Sequence, residues 1–139
     1  MDLSALTAVS PIDGRYESKT ADLREVFSEY GLIKRRILVE IRWLQSLAAH
    51  PGMVEVPVLS SAAKRQLEAI LSDFSENDAQ RIKDIERTTN HDVKAVEYFI
   101  KLKLKGTSLE DVLEWVHFAL TSEDVNSVSH GLALRDAVE

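Results

Sequence analysis

Cysteine is absent from the chain, which excludes disulfides, thiolate catalysis and cysteine-held metals and points away from redox chemistry. Glycine is scarce, with five residues scattered over 139. There is no glycine loop to cradle a phosphate, no nucleophile elbow and no zinc motif, so kinase, hydrolase and dehydrogenase readings lapse. No apolar run approaches the roughly 18 residues that cross a bilayer. The amino terminus lacks the basic, apolar and small-residue order of a signal peptide, because Asp2, Asp13, Arg15 and Glu17 interrupt it. A cytoplasmic location is therefore expected. Positive charge is in deficit: a net charge of −6 argues against nucleic-acid or anionic-membrane binding, both of which need a concentrated basic surface. An anionic small substrate stays open if local arginines, lysines or helix N-termini hold it.

What is present reads as an all-α protein. With 45% hydrophobic and 29% charged residues, a chain of this size buries about two-thirds of its unfolded surface. Residues 1–19 form an irregular leader, in which Ser10-Pro11 and Asp13-Gly14 are turn pairs. From Thr20 the residues Leu23, Phe27, Ile33, Ile37, Ile41, Leu44 and Ala48 recur at helical spacing, with Gly31 as a possible bend or break. His50-Pro51-Gly52 stops that helix, and Val54 to Leu59 is an extended connector because Pro57 interrupts it. Ser60 or Ser61 caps a helix carrying Ala63, Leu67, Ile70, Leu71 and Phe74 on one face. Ser75-Glu76-Asn77-Asp78 resembles a capping box for the next, which carries Ile82 and Ile85. A further helix starts near His91–Val93 and ends at Gly106. Ser108 is expected to open another, with Val112, Leu113, Val116 and Leu120 inward. Thr121-Ser122-Glu123-Asp124 opens the last, with Val125, Val128 and Leu132 on one side. The boundary falls near Gly106: a small helical domain over 20–106, then 107–139 as the start of a long-helix bundle domain. No glycine or proline stops the last helix between Ala133 and Glu139, so a truncated chain is expected.

Three polar clusters have the composition of a binding site, and each has a plain structural alternative. Arg15 and Tyr16 can clamp a phosphate, or Arg15 is a surface group beside a tyrosine that anchors the leader. Asn90, His91 and Asp92, with Arg87 and Lys94 nearby, gather at a helix start where free N–H groups point outward; otherwise Asn90 or Asp92 simply caps the helix. Thr121 and Ser122 can receive substrate oxygens, or merely satisfy their own helix, and Glu123 and Asp124 must point away for an anion to approach. Glu114-x-x-His117 matches half of a di-metal carboxylate site, but no second pair exists. His117 is then an inward histidine or lines a site. No metal or cofactor is called for.

Two stretches, Ile85-Glu86-Arg87-Thr88-Thr89-Asn90-His91-Asp92-Val93-Lys94-Ala95-Val96-Glu97-Tyr98 and His117-Phe118-Ala119-Leu120-Thr121-Ser122-Glu123-Asp124-Val125-Asn126, resemble the amino-terminal portion of the adenylosuccinate lyases, in the fumarase and aspartase superfamily. The similarity runs from Leu3 to the last residue. It implies a helical protein assembled as a homotetramer, with active sites shared between subunits. It also implies elimination of fumarate from adenylosuccinate, giving AMP, and from the succinylated aminoimidazole carboxamide ribotide. Both substrates are nucleotides bearing a phosphate and a dicarboxylate. By the same resemblance Arg15 and Tyr16 hold the nucleotide, Asn90, His91 and Asp92 line the site, Thr121 and Ser122 bind substrate oxygens, and His117 lies close by. The family's acid histidine and its base-bearing serine loop have no counterpart within residues 1–139, so no catalytic residue is assigned and the chain alone is expected to be inactive. The rival expectation is a self-sufficient helical binding or assembly module without catalysis.

Overall fold

The computed structural model describes Asp2 and residues 4–139; Met1 and Leu3, which fall in the expected leader, lie outside the described residues. Six α-helices follow the leader: α1 (Arg24–Phe27), α2 (Glu29–Ala49), α3 (Ser61–Ser72), α4 (Glu76–Thr89), α5 (Asp92–Leu104) and α6 (Ser122–Val138). Three short 3-10 segments accompany them, at Glu17–Lys19, Ala21–Leu23 and Glu110–Trp115. There is no strand among the described residues, and none of the described helices is long and apolar enough to cross a membrane.

The central helix is α2, against which α1, α3, α4, α5 and α6 all pack. Ile33, Ile37, Ile41 and Leu44 fall on one stripe of it and are at most 1% exposed. Around them gather Leu67 of α3, Ile82 of α4, and Phe99, Ile100 and Leu104 of α5. Each such fully buried side chain contributes about 1.5–3 kcal/mol over the exposed state. Phe74, after α3, stacks on Tyr30 at 5.4 Å and meets Phe99 edge-on at 6.3 Å. The connector holds by two apolar pegs, with Val56 and Leu59 buried while Val54 and Val58 face solvent.

The break expected at Gly31 falls instead at Ser28, whose hydroxyl accepts the Gly31 N–H at 3.2 Å and caps α2. Gly31 serves a different purpose. A Cβ there would lie 2.5 Å from the Glu25 carbonyl and 2.6 Å from that of Val26, so glycine alone lets the end of α1 rest on α2. Arg35 seals this corner by donating to the carbonyls of Glu25, Val26 and Gly31, while its other Nη bonds Asp136 Oδ2 at 2.7 Å. α6 thus runs back along α2 toward α1. Because the break comes early, Leu23 and Phe27 are not carried into the core and remain 42% and 53% exposed.

Two further expectations are corrected. The segment after Gly106 holds a 3-10 stretch, Glu110–Trp115, not an α-helix, and among the described residues no side chain caps it: Leu109 stands at its start, and in the turn before it Thr107, not Ser108, accepts the Leu109 N–H at 3.1 Å. Val112 and Val116 are buried as expected. His117 and Ala119 then take left-handed conformations, φ 65° and 59°, which no α-helix tolerates. A hold on this backbone lies on α2, where Trp43 Nε1 donates to the Phe118 carbonyl at 2.7 Å. In α6 the inward face carries Val125, Ser129 and Ala133, while Val128 is 50% exposed and Leu134 62%.

Candidate functional site

Two helix N-termini, those of α5 and α6, meet side by side. Asn90 ends α4 in a left-handed conformation, φ 50°, which asparagine tolerates better than most residues. The chain then extends at His91, and the cap of α5 is His91 itself: its Nδ1 accepts the Lys94 N–H at 3.2 Å. A ring nitrogen that accepts carries no proton, so in the neutral ring the proton sits on Nε2. That nitrogen lies 3.2 Å from Ser122 Oγ and donates to it. The Ser122 hydroxyl keeps its own proton free to donate outward.

At α6, Thr121 is occupied by the capping box. Its Oγ donates to Asp124 Oδ2 at 2.8 Å and accepts the Asp124 N–H at 3.4 Å, while Asp124 Oδ2 accepts the Thr121 N–H at 2.7 Å. The Thr121 backbone N–H holds the Asp124 carboxyl below its usual value, helped by the threonine hydroxyl and, more weakly, by His117. The acid therefore curls back on its own cap and leaves the ground over Ser122 clear.

A third helix fixes the pair. Arg36, 5% exposed, donates from Nη2 to Asp92 Oδ2 at 2.6 Å and from Nε to Asn126 Oδ1 at 2.9 Å, binding the first turn of α5 to that of α6. Burial pushes the Asp92 carboxyl up, but the Val93 N–H, Arg36 and His91 outweigh it and leave it below its usual value. One turn on, Glu40 Oε1 lies 2.5 Å from His117 Nδ1. Arg36 and Glu40 escaped the sequence reading as polar residues of a helix. Their signal was position: each stands three residues after a core isoleucine, Ile33 and Ile37, on the stripe that continues to Leu44.

Of the expected site residues, Asn90, His91, Asp92, Ser122, Thr121 and His117 converge. Asn90 and Thr121 do so as caps, and the expected α5 cap of Asn90 or Asp92 is replaced by His91. His117 bonds Glu40, not Glu114. Arg15 and Tyr16 stand apart: the guanidinium stacks over the phenol ring at 4.7 Å, and among the described residues neither side chain bonds any of the other six. Arg87 pairs with Asp84 and Lys94 with Glu97, each at 2.8 Å. An open groove of about 530 Å³ runs beside His91, lined by Lys83, Glu86, Arg87, Asn90 and Asp92. Among the described residues no group of three or more His, Asp or Glu could hold a metal ion.

The chain is similar to the adenylosuccinate lyase of Vibrio cholerae serotype O1, with 61% identity over 138 residues. It is 59% identical to that of Escherichia coli K12 over 138 residues and 46% identical to that of Legionella pneumophila strain Corby over 139. Each match covers 99% of this chain and 30% of the relative, so the chain spans about a third of the length of these relatives. A family model described as a lyase matches residues 14–139, and the chain accordingly belongs to the lyase family.

Proposed function

We propose that this chain is the amino-terminal portion of a cytoplasmic, homotetrameric adenylosuccinate lyase. The whole protein would eliminate fumarate from adenylosuccinate, leaving AMP, and from the succinylated aminoimidazole carboxamide ribotide. Residues 20–106 would form its small helical domain and 107–139 the start of its bundle domain. The names of the relatives support the reaction, and the exposed Val128, Leu134 and Val138 of α6 support a covered bundle face.

The observation that carries the reading is the His91–Ser122 contact of 3.2 Å, which joins the two sequence stretches of the resemblance at a pair of helix N-termini. Two positive helix ends and the uncommitted Ser122 hydroxyl, oriented by the His91 Nε2–H, suit an anionic oxygen of phosphate or carboxylate. Arg15, Tyr16, Asn90, Asp92, Thr121 and His117 complete the proposed binding set. Arg15 and Tyr16 would reach the nucleotide from the leader. Elimination also needs a base for a carbon-bound proton, an acid for the departing nitrogen and donors for the carboxylate-stabilised carbanion. We assign neither acid nor base to residues 1–139.

A continuous spectrophotometric assay with adenylosuccinate tests this. The full-length protein should release fumarate and the 139-residue chain should not. AMP should bind the chain and be weakened by Arg15→Ala and His91→Ala. Robust fumarate release by the isolated chain, or AMP binding indifferent to both changes, would contradict the reading; the second result would favour a non-catalytic assembly module.

A further inference from the structure

Glu40 sits where a core residue belongs. Its side chain is 0% exposed, on the α2 stripe between Ile37 and Leu44, and among the described residues its Oε2 has no hydrogen-bond partner. A buried carboxylate with an idle oxygen is costly, and any apolar side chain of similar size would avoid that cost. Among the described residues its carboxylate makes one bond, the 2.5 Å contact to His117 Nδ1. The loop backbone has holds of its own, since Trp43 Nε1 donates to the Phe118 carbonyl at 2.7 Å and the Leu120 N–H reaches the His117 carbonyl at 3.3 Å, whereas the Glu40 contact falls on the His117 ring. Glu40 therefore acts on the ring.

The ring is set up to be used. His117 is held at φ 65°, its side chain keeps 19% exposure, and it lies close enough to Asp124 to lower that carboxyl. An ionised carboxylate only accepts, so Glu40 selects the Nδ1–H form and leaves Nε2 as the working nitrogen. Among the described residues Nε2 has no hydrogen-bond partner.

We propose that Glu40 is the positioning residue of the substrate site: its buried carboxylate takes the Nδ1–H of His117 and turns Nε2 toward the substrate at the start of α6. In the Nδ1–H form Nε2 carries a lone pair and accepts from a substrate N–H or O–H. Glu97 on α5, held by Lys94 and Lys101 at 2.8 and 3.0 Å, adds negative charge near Glu40 from a second side. Burial, with a smaller push from Glu97, leaves the Glu40 carboxyl above its usual value even though the His117 bond pulls it down. The inference rests on the nucleotide-site reading above.

The test compares KM and kcat for adenylosuccinate in the full-length protein carrying Glu40→Gln, Glu40→Leu, His117→Gln, and Glu40→Leu with His117→Gln. Glu40→Gln still accepts from Nδ1 but carries no charge and serves as the conservative variant. It should raise KM a few-fold, while Glu40→Leu, which loses a charged hydrogen bond, should raise it about tenfold or more. In the His117→Gln background, Glu40→Leu should have no further effect. Multiplicative effects of the two changes, or a KM unmoved by Glu40→Leu, would overturn the proposal. A far-downfield Nδ1–H proton resonance gives a readout without substrate. It should vanish in both His117→Gln and Glu40→Leu. Loss of the resonance in Glu40→Leu, in a protein whose wild type releases no fumarate, would uphold the pairing and sink the function reading. A resonance indifferent to Glu40→Leu would overturn the pairing whatever the activity.

Discussion

The starts of α4 and α6 are built from the same box, yet only one lies against another helix start. Ser75 and Thr121 accept the N–H three residues on at 3.3 and 3.4 Å, and Asp78 and Asp124 reach back to the cap N–H at 3.2 and 2.7 Å. At α4 the acid is also held by Lys103, 2.9 Å away, and the box is closed. At α6 the neighbouring Ser122 reaches His91, and Arg36 ties Asn126 to Asp92. A capping box consumes its own hydroxyl and acid. The proposed site arises from the residue beside the box and from a charge that a third helix brings in. At Thr121-Ser122 the threonine side chain is spent on the cap while the serine hydroxyl is not, and the proposed function gives the ligand to the second.

The comparison breaks most visibly at the cations. Arg36→Met leaves Asp92 and Asn126 without their buried partner. Asp92 is 42% exposed, so the loss should fall below the range for a fully buried pair, at about 2–3 kcal/mol. Lys103→Met at α4 removes a cation that is 37% exposed, against 6% for Arg36, and should cost no more than about 1 kcal/mol. Urea unfolding measures both, and equal losses would mean that the two starts are alike.

Removing the caps sharpens the contrast. Ser75→Ala and Thr121→Ala should each cost about 1 kcal/mol in the same assay, but only Thr121→Ala should also weaken AMP, because it loosens the start that carries Ser122. Equal affinities would argue that α6 holds no ligand.

The smallest effect is in acid. At Asp78 burial pushes the carboxyl up, but Lys103 and Ser75 outweigh it and leave it below the usual 3.8; Asp124 is lowered chiefly by the Thr121 N–H. A depressed folded value stabilises above the unfolded value and is lost as pH falls through the folded one. Stability from both boxes should therefore fade below about pH 3.8. Asp78→Asn and Asp124→Asn should each flatten the acid limb of a melting-temperature profile. Added salt should weaken the Asp78 effect more, since only Asp78 has a lysine partner. An unchanged limb in both variants would remove the boxes from the account.

Helix starts were legible in the sequence because a capping box is local: Ser75 with Asp78 and Thr121 with Asp124 sit three residues apart and declare themselves. The stop at Gly106 is equally local, a left-handed φ of 73°. What the sequence concealed was long-range. Residues 108–120 have helical periodicity, but His117 and Ala119 take left-handed conformations, and Trp43, more than seventy residues earlier, holds the Phe118 carbonyl between them. The partnership of Arg36 with Asp92 and Asn126 spans 56 and 90 residues. Gly31 misled for a related reason, since its need for a missing Cβ comes from the carbonyls of α1.

The central claim is that the meeting of α5 and α6 receives the substrate's anionic group through Ser122 and His91. Calorimetric titration of AMP into the wild type and into Ser122→Ala tests it most directly. Loss of that hydroxyl should weaken AMP about tenfold while leaving the melting temperature almost unchanged, because Thr121 supplies the cap. Affinity equal to the wild type in a folded Ser122→Ala protein would contradict the account.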